Sequence, residues 1–369
     1  MRRSLRAALA RLLRRAPPPG RWHAHAGGAE AGVVLHEPGR VQPGPSLVVA
    51  GHAPEALLID ARGETLHRWQ LPAAAAFGGA RGRGDWRRAL ALADGSLLVC
   101  CTGLGVLHLD RDSRPLWRHA CGAHHDLALG PGGELHVPVR DADGSDWIVT
   151  LGPDGAPRRR VSVAECFARG LPGDPLAGTV DLHHPNAIEI LAADLLAAGP
   201  AFRAGAALVS IRTAQRLALL DLEARRVTWS WEGPWREPHS PRVLADGRLL
   251  VFDNLGGAGP GGRSRVLELD PARRSVSWTF AGSSARPFDS VKGGACQRLA
   301  NGNTLVTESA RGRAFEVTRA GERVWEFVHP GRARRGRWIP YLCEVTRLPE
   351  GFEHGLAGAP RRPGAPRAG

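Results

Sequence analysis

The sequence predicts an all-β chain folded as a six-bladed β-propeller, its ring closed by N- and C-terminal strands in one blade. Three observations predict it. A hairpin pattern recurs as "LALADGSLLV" (90–99), "LALGPGGELHV" (127–137), "VLADGRLLV" (243–251) and "RLANGNTLV" (298–306). Each copy reads as a strand, a tight turn ending in glycine, and a second strand of aliphatic residues. A second pattern follows the hairpins, in "VLHLDRDSRPLW" (106–117), "LALLDLEARRVTW" (217–229), "VLELDPARRSVSW" (266–278) and "AFEVTRAGERVW" (314–325). It supplies a third and a fourth strand around a polar turn and ends on tryptophan. Finally, no amphipathic helix of useful length separates the repeats, which removes an α/β alternative. Four short antiparallel strands per repeat make one propeller blade.

Turn glycines order the blades. Gly95, Gly133, Gly205, Gly247 and Gly302 mark five, and the long step from Gly133 to Gly205 carries an insertion, "AADLLAAGPAFRAG". The sixth copy is divided between the chain ends. "CEVTRLPEG" (343–351) supplies a first strand, and "PGPSLVVAG" (43–51) with "ALLIDARGETLHRW" (56–69) supplies the rest. Sharing a blade between the ends removes the last open sheet edges. The propeller is expected over 31–353, between a basic, flexible segment (1–30) and a Pro/Gly/Arg-rich disordered tail (354–369).

Composition narrows the function classes. The 369 residues are 43% hydrophobic, enough to bury a large core. The formal charge of +13 is almost entirely arginine, since Lys292 is the sole lysine, and much of it lies toward the chain ends. Without a nucleic-acid motif or an aromatic-basic strip, these arginines read as solvated tails, and no nucleic-acid partner is expected. No apolar run is long enough for a transmembrane segment. "LRAALARLL" near the start is interrupted by arginine, so as written it is not a secretory signal; a short amphipathic helix and a missing upstream start both fit it. The six cysteines show neither C-x-x-C nor zinc-finger spacing and read as small buried hydrophobes.

Repeat phase then locates a site. His125 and His239 each precede their turn glycine by the same interval, at the head of an innermost strand on the rim of the central channel. His184 heads the matching strand of the intervening blade, and Arg87, Gly294 and Cys343 occupy the slot elsewhere. Across each hairpin, the residue returning to that end is Arg140, Arg212 or Asn254. Imidazoles and guanidinium groups converging on one mouth suit a tetrahedral oxyanion, with a neutral histidine as nucleophile. Phosphoryl or sulfuryl transfer both fit. Three histidines could instead bind a metal, but only Asp126 and Asp181 offer carboxylates nearby, so no metal and no other cofactor is expected.

From 32 to 352 the sequence resembles the bacterial arylsulfotransferase family. The resemblance is carried by "DLHHPNAIEI", "FRAGAALVSIR", "PHSPRVLADGRLLVFDN" and "ANGNTLVTESARGRAFEVTRAGERVWEFVHP". It implies a six-bladed propeller that moves a sulfuryl group from an aryl sulfate donor to a phenolic acceptor through a sulfated histidine, without a nucleotide sulfate. It further implies His239 as nucleophile, with His184, Arg212 and His125 as catalytic partners. Asp181 and Asn186 lie in the same motif as His184. Ser240 and Thr213 depart from the family pattern, standing where a carboxylate and a histidine are usual. Family members act outside the cytoplasm, so a periplasmic or extracytoplasmic location is the family expectation. A non-catalytic propeller binding an anionic ligand or protein partner is the alternative. A quinone-dependent dehydrogenase would need a calcium site that these residues do not assemble.

Overall fold

A computed structural model describes residues 20–24, 30–79, 84–170, 184–259 and 261–358. Six antiparallel sheets form the blades of a β-propeller. Blade 1 runs, innermost strand first, Leu342–Arg347, Ser46–Ala50, Glu55–Ile59 and Thr65–Gln70. Blade 2 comprises Trp86–Ala91, Leu97–Cys101, Gly105–Leu109 and Pro115–Ala120, and blade 3 comprises Ala128–Leu129, Leu135–Arg140, Asp146–Leu151 and Pro157–Ser162. Blade 4 is built from Pro185–Ile190, Ala207–Ile211, Arg216–Asp221 and Arg226–Glu232. Blade 5 follows with Pro238–Val243, Leu249–Asp253, Arg265–Asp270 and Ser275–Ala281. Blade 6 contains Ala295–Arg298, Thr304–Glu308, Arg313–Val317 and Arg323–Val328, and adds Gly32–His36 as a fifth, outer strand.

The split blade closes as the repeat pattern requires. Leu342–Arg347 lies antiparallel to Ser46–Ala50, with Val345 opposite Val48. The five glycines that ordered the blades share one backbone state, from φ 79° at Gly133 and Gly205 to 87° at Gly302. That left-handed conformation is why glycine recurs there. Near the end of each third strand the register slips once before the polar turn, as at His108/Leu109 and Glu316/Val317. Such a bulge increases the local twist of a blade.

The recurrent tryptophans dock one blade on the next. Trp117 of blade 2 donates its indole N–H to Pro153 O of blade 3 (2.9 Å). Trp278 of blade 5 reaches Arg319 O of blade 6, and Trp325 of blade 6 reaches Ala61 O of blade 1, both at 2.9 Å. The ring fills space between sheets while its single polar atom is satisfied. Buried ion pairs add further ties. Glu268 accepts from Arg248 within blade 5 and from Arg298 and Arg319 of blade 6.

Both flanking segments differ in part from expectation. Trp22–Ala24, inside the stretch read as flexible, pairs antiparallel with Trp338–Pro340. Phe352–Gly358 is a short helix that includes the first residues of the predicted tail. Phe352 and Leu356, four apart and therefore on one helical face, pack against the core of blades 1 and 2. A composition average over Pro, Gly and Arg hides two such anchors. The first nineteen residues and 359–369 lie outside the described residues. No described helix is long and apolar enough to cross a membrane.

Candidate active site

Backbone register refines the phase argument. Trp86 faces Cys101 in blade 2, Pro185 faces Ile211 in blade 4 and Pro238 faces Asp253 in blade 5. The next residues, Arg87, Asn186 and His239, therefore occupy equivalent positions. In blade 3, Ala123 faces Val139, which gives that position to His124. His125 follows in a left-handed conformation (φ 65°). Asn186 thus stands where His184 was expected, and His184 lies two residues upstream. The insertion in blade 4 and one extra residue in blade 3 hid this difference.

The shift does not remove the histidines from the mouth. A cavity of about 420 Å3 is lined by His125, His184, Arg212 and His239, the four residues nominated as catalytic. Arg87, Lys292, Gly293 and Tyr341 complete the propeller's share of its wall, and residues 20–23 cover one side. These residues come from every blade or the loops entering it, so the cavity lies on the propeller axis. Arg21, Arg87, Arg212 and Lys292 bring four cationic groups to the wall, and no carboxylate is among the lining residues. Two of the four are anchored: Arg21 pairs with Asp85 at 2.5 Å and Arg212 with Glu237 at 3.2 Å.

His239 is buried, and its Nδ1 lies 3.0 Å from Glu237 O. A carbonyl can only accept, so the proton sits on Nδ1 and the lone pair on Nε2. Burial lowers the pKa of this imidazole to about 4, reinforced by the charges of Arg87 and Arg212. The backbone contact to Glu237 and the Asn254 side chain oppose the shift but do not reverse it. His125 is pushed well below the ordinary value by burial first and then by Arg87. At neutral pH His125 and His239 are neutral imidazoles among fixed cations.

The residues nominated for substrate binding stand farther back. Arg140 makes a two-pronged contact with Asp146, Nε to Oδ1 at 3.0 Å and Nη2 to Oδ2 at 2.6 Å. Asp146 in turn approaches His124 Nε2 at 3.4 Å and His184 Nδ1 at 3.7 Å. Burial disfavours its charge, yet these three partners hold its carboxyl well below the usual range. Arg140 therefore acts on the histidines through Asp146. Asn186 donates to Pro238 O at 3.0 Å and accepts from Ser210, so it supports the strand that carries His239. Asn254 donates to Ser290 O (2.6 Å) and Gly293 O (2.5 Å), which ties the loop bearing Lys292 to blade 5. Asp181 lies outside the described residues. Asp126 is found deeper, where it pairs with Arg88 at 3.2 Å and Arg242 at 3.8 Å.

Sequence reasoning did not nominate Arg87, Lys292 or Tyr341. The phase argument reached Arg87 without giving it a role. Lys292 and Tyr341 sit on loops whose position no hairpin count sets, although they are the chain's only lysine and only tyrosine. Among the described residues, one group has metal-ligand chemistry: nitrogens of His124, His125 and His184 lie within 4.8 Å of one another. However, His124 Nδ1 and His125 Nδ1 share a hydrogen bond of 2.8 Å, and the His124 and His184 rings stack at 4.8 Å and 16°. Stacked rings aim their lone pairs side by side rather than at one centre.

Residues 177–330 match the arylsulfotransferase family. No curated protein sequence matches the chain significantly. Among solved structures, a protein of unknown function from Bacteroides caccae is 15% identical, with a TM-score of 0.53 over 82% of this chain and 98% of its own. Virginiamycin B lyase from Staphylococcus aureus is 13% identical, with a TM-score of 0.48 over 85% of this chain and 98% of its own. At these identities the first likeness speaks to fold alone. The family match covers blades 4 and 5, most of blade 6, and three of the four residues nominated as catalytic. Together with the six-bladed fold, that match makes residues 177–330 similar to the arylsulfotransferase family.

Proposed function

We propose that the protein transfers a sulfuryl group from a phenolic sulfate ester to a phenolic acceptor, with His239 as the transient carrier. The observation that carries this reading is the axial cavity, which sets four cationic side chains around a neutral, buried imidazole and has no lining carboxylate. His239 Nε2 attacks sulfur, the S–O bond to the aryl group breaks, and a phenolate leaves. The acceptor oxygen then attacks the same sulfur, the N–S bond breaks, and the imidazole is regenerated. Arg212 and Arg87 hold the sulfuryl oxygens, whose charge is spread over positions that fixed cations stabilise without reorganising. His184 and His125 approach the group from the loops entering blades 4 and 3.

The decisive experiment supplies a chromogenic aryl sulfate with and without a phenol. With acceptor, phenol release should match the appearance of a new aryl sulfate. Without acceptor, one equivalent of phenol should be released in a burst, and intact-mass analysis should show one added sulfuryl group. Neither turnover nor adduct with any aryl sulfate would replace this reading with that of an anion-binding module.

Two further outcomes are expected. Arg212→Lys keeps the charge but loses the planar fork, so transfer should fall about a hundredfold with the fold unchanged. Near wild-type turnover in this variant would remove Arg212 from the sulfuryl site. The burst rate should also keep its plateau far into acid. Protonation occupies the Nε2 lone pair, and a lowered pKa delays protonation, so the acid limb should fall near pH 4. A limb at the ordinary histidine value, about 6.5, would contradict the electrostatics described for His239.

A further inference from the structure

We propose that Tyr341 is the proton-transfer residue of the reaction, donating to the departing phenolate and recovering the proton from the incoming phenol. The proposal rests on the sulfuryl-transfer reading and assigns it an acid–base group. Tyr341 is 4% exposed and lines the same cavity as His239, Arg87 and Arg212. Its backbone is pinned on both sides, its N–H donating to Arg21 O and its carbonyl accepting from Gly51 N, each at 2.9 Å. The ring leans on His23 (5.2 Å between centres), and the Arg87 guanidinium stands over it at 4.9 Å from its centre. The buried hydroxyl has the Arg87 side chain as its hydrogen-bonding neighbour. A side chain at position 293 would collide with that oxygen, so Gly293, itself on the cavity wall at φ 67°, leaves the hydroxyl its space. A hydroxyl whose neighbour is a guanidinium can part with its proton beside a cation that holds the charge left behind.

The chemistry matches. Tyrosine and the substrates carry the same functional group, a phenol, so either can donate its proton to the other's oxygen, the exchange that general acid–base catalysis requires. In the first half-reaction the S–O bond breaks, the phenolate takes the Tyr341 proton, and the resulting tyrosinate faces the Arg87 guanidinium. In the second, the acceptor phenol returns a proton to Tyr341 as its oxygen attacks the sulfuryl group and the N–S bond breaks. Protons and charge balance over the cycle, and no outside acid or base is consumed.

The test compares wild type with Tyr341→Phe on a series of aryl sulfates whose phenols differ in basicity. Phenylalanine keeps the ring contacts with His23 and Arg87 while removing the proton. Donors with weakly basic phenols, which leave without assistance, should react at nearly the wild-type rate. Those with strongly basic phenols should slow by about a hundredfold or more, so the dependence of rate on phenol pKa steepens. A uniform loss across the series would mark a packing role, and an unchanged slope would exclude proton transfer; either overturns the proposal. A wild type inactive on every donor would instead fail the sulfuryl-transfer reading, and this proposal with it.

Discussion

His239→Asn should abolish both the phenol burst and the covalent adduct, with turnover reduced at least about ten-thousandfold. The substitution is chosen for what it preserves. Asparagine can place a donor near the position of Nδ1, so the contact with Glu237 O can survive while the Nε2 lone pair is lost. The strand should stay in place, because Asn186 holds Pro238 O from the neighbouring blade. His184→Asn should behave differently: a slower burst, with the adduct still mapping to His239. His184 touches the cavity, but its Nδ1 is turned toward Asp146 at 3.7 Å, which suits a residue that orients or binds oxygen rather than one that attacks. Peptide mapping of the quenched protein separates the roles. A sulfuryl group found on His125 or His184 in the wild type would move the nucleophile.

How much of this site was legible in the sequence depends on what set each residue's position. The place of His239 on the rim can be read from the sequence because its hairpin is regular and its distance from Gly247 translates directly into a strand position. Blade 3 has one more residue ahead of its turn, so the same count selected His125 where the register puts His124. Both rings lie near the mouth, and only the φ of 65° at His125 shows how the chain absorbs the extra residue. In blade 4 the insertion broke the count, and Asn186 took the position assigned to His184. Arg140 shows a different limit. Its placement at the end of the hairpin was right, but its direction depends on Asp146, directly opposite it in the register. Pattern gives position along a strand, whereas the choice among neighbouring partners is made by three-dimensional contact.

The fold was more legible than the site for a physical reason. A propeller repeats one packing solution, so each blade independently reports the same glycine turn and the same tryptophan dock. Loops between blades repeat nothing, and Lys292, Gly293 and Tyr341 all lie on such loops. The chain ends were hard to read for the same reason. Trp22–Ala24 and the helix at Phe352–Gly358 are single features, held by Trp338–Pro340 and by the cores of blades 1 and 2.

Ending the chain at Pro340 should prevent cooperative folding, whereas ending it at Glu350 should leave a folded propeller of lower stability. The shorter chain loses the innermost strand of blade 1, and with it the whole ladder against Ser46–Ala50. It also loses the buried side chains of Leu342 and Val345, each stabilising by about 1.5–3 kcal/mol. The ionic losses are larger. Glu344 pairs with Arg88 and, at 3.6 Å, with Arg242, both deep in the channel, and Arg347 pairs with fully buried Glu316 at 3.5 Å. Removing one partner of a buried pair costs roughly 3–5 kcal/mol, because the remaining charge stays in a medium that cannot solvate it. Arg347 also exchanges two backbone hydrogen bonds with the Gln297 side chain of blade 6, so the seam between the first and last blades opens as well. Together these are comparable to the roughly 5–15 kcal/mol that holds a domain folded. Among the described residues, the longer chain gives up the short helix, with Phe352 and Leu356 partly buried on the core of blades 1 and 2 and Leu356 O accepting from Arg111, and keeps every one of those pairs. Thermal melts followed by circular dichroism distinguish the two cases. Equal melting temperatures for the two truncations would show that the last strand does not close the ring, because the model of closure requires that one cut removes a member of a sheet and the other only a brace upon it.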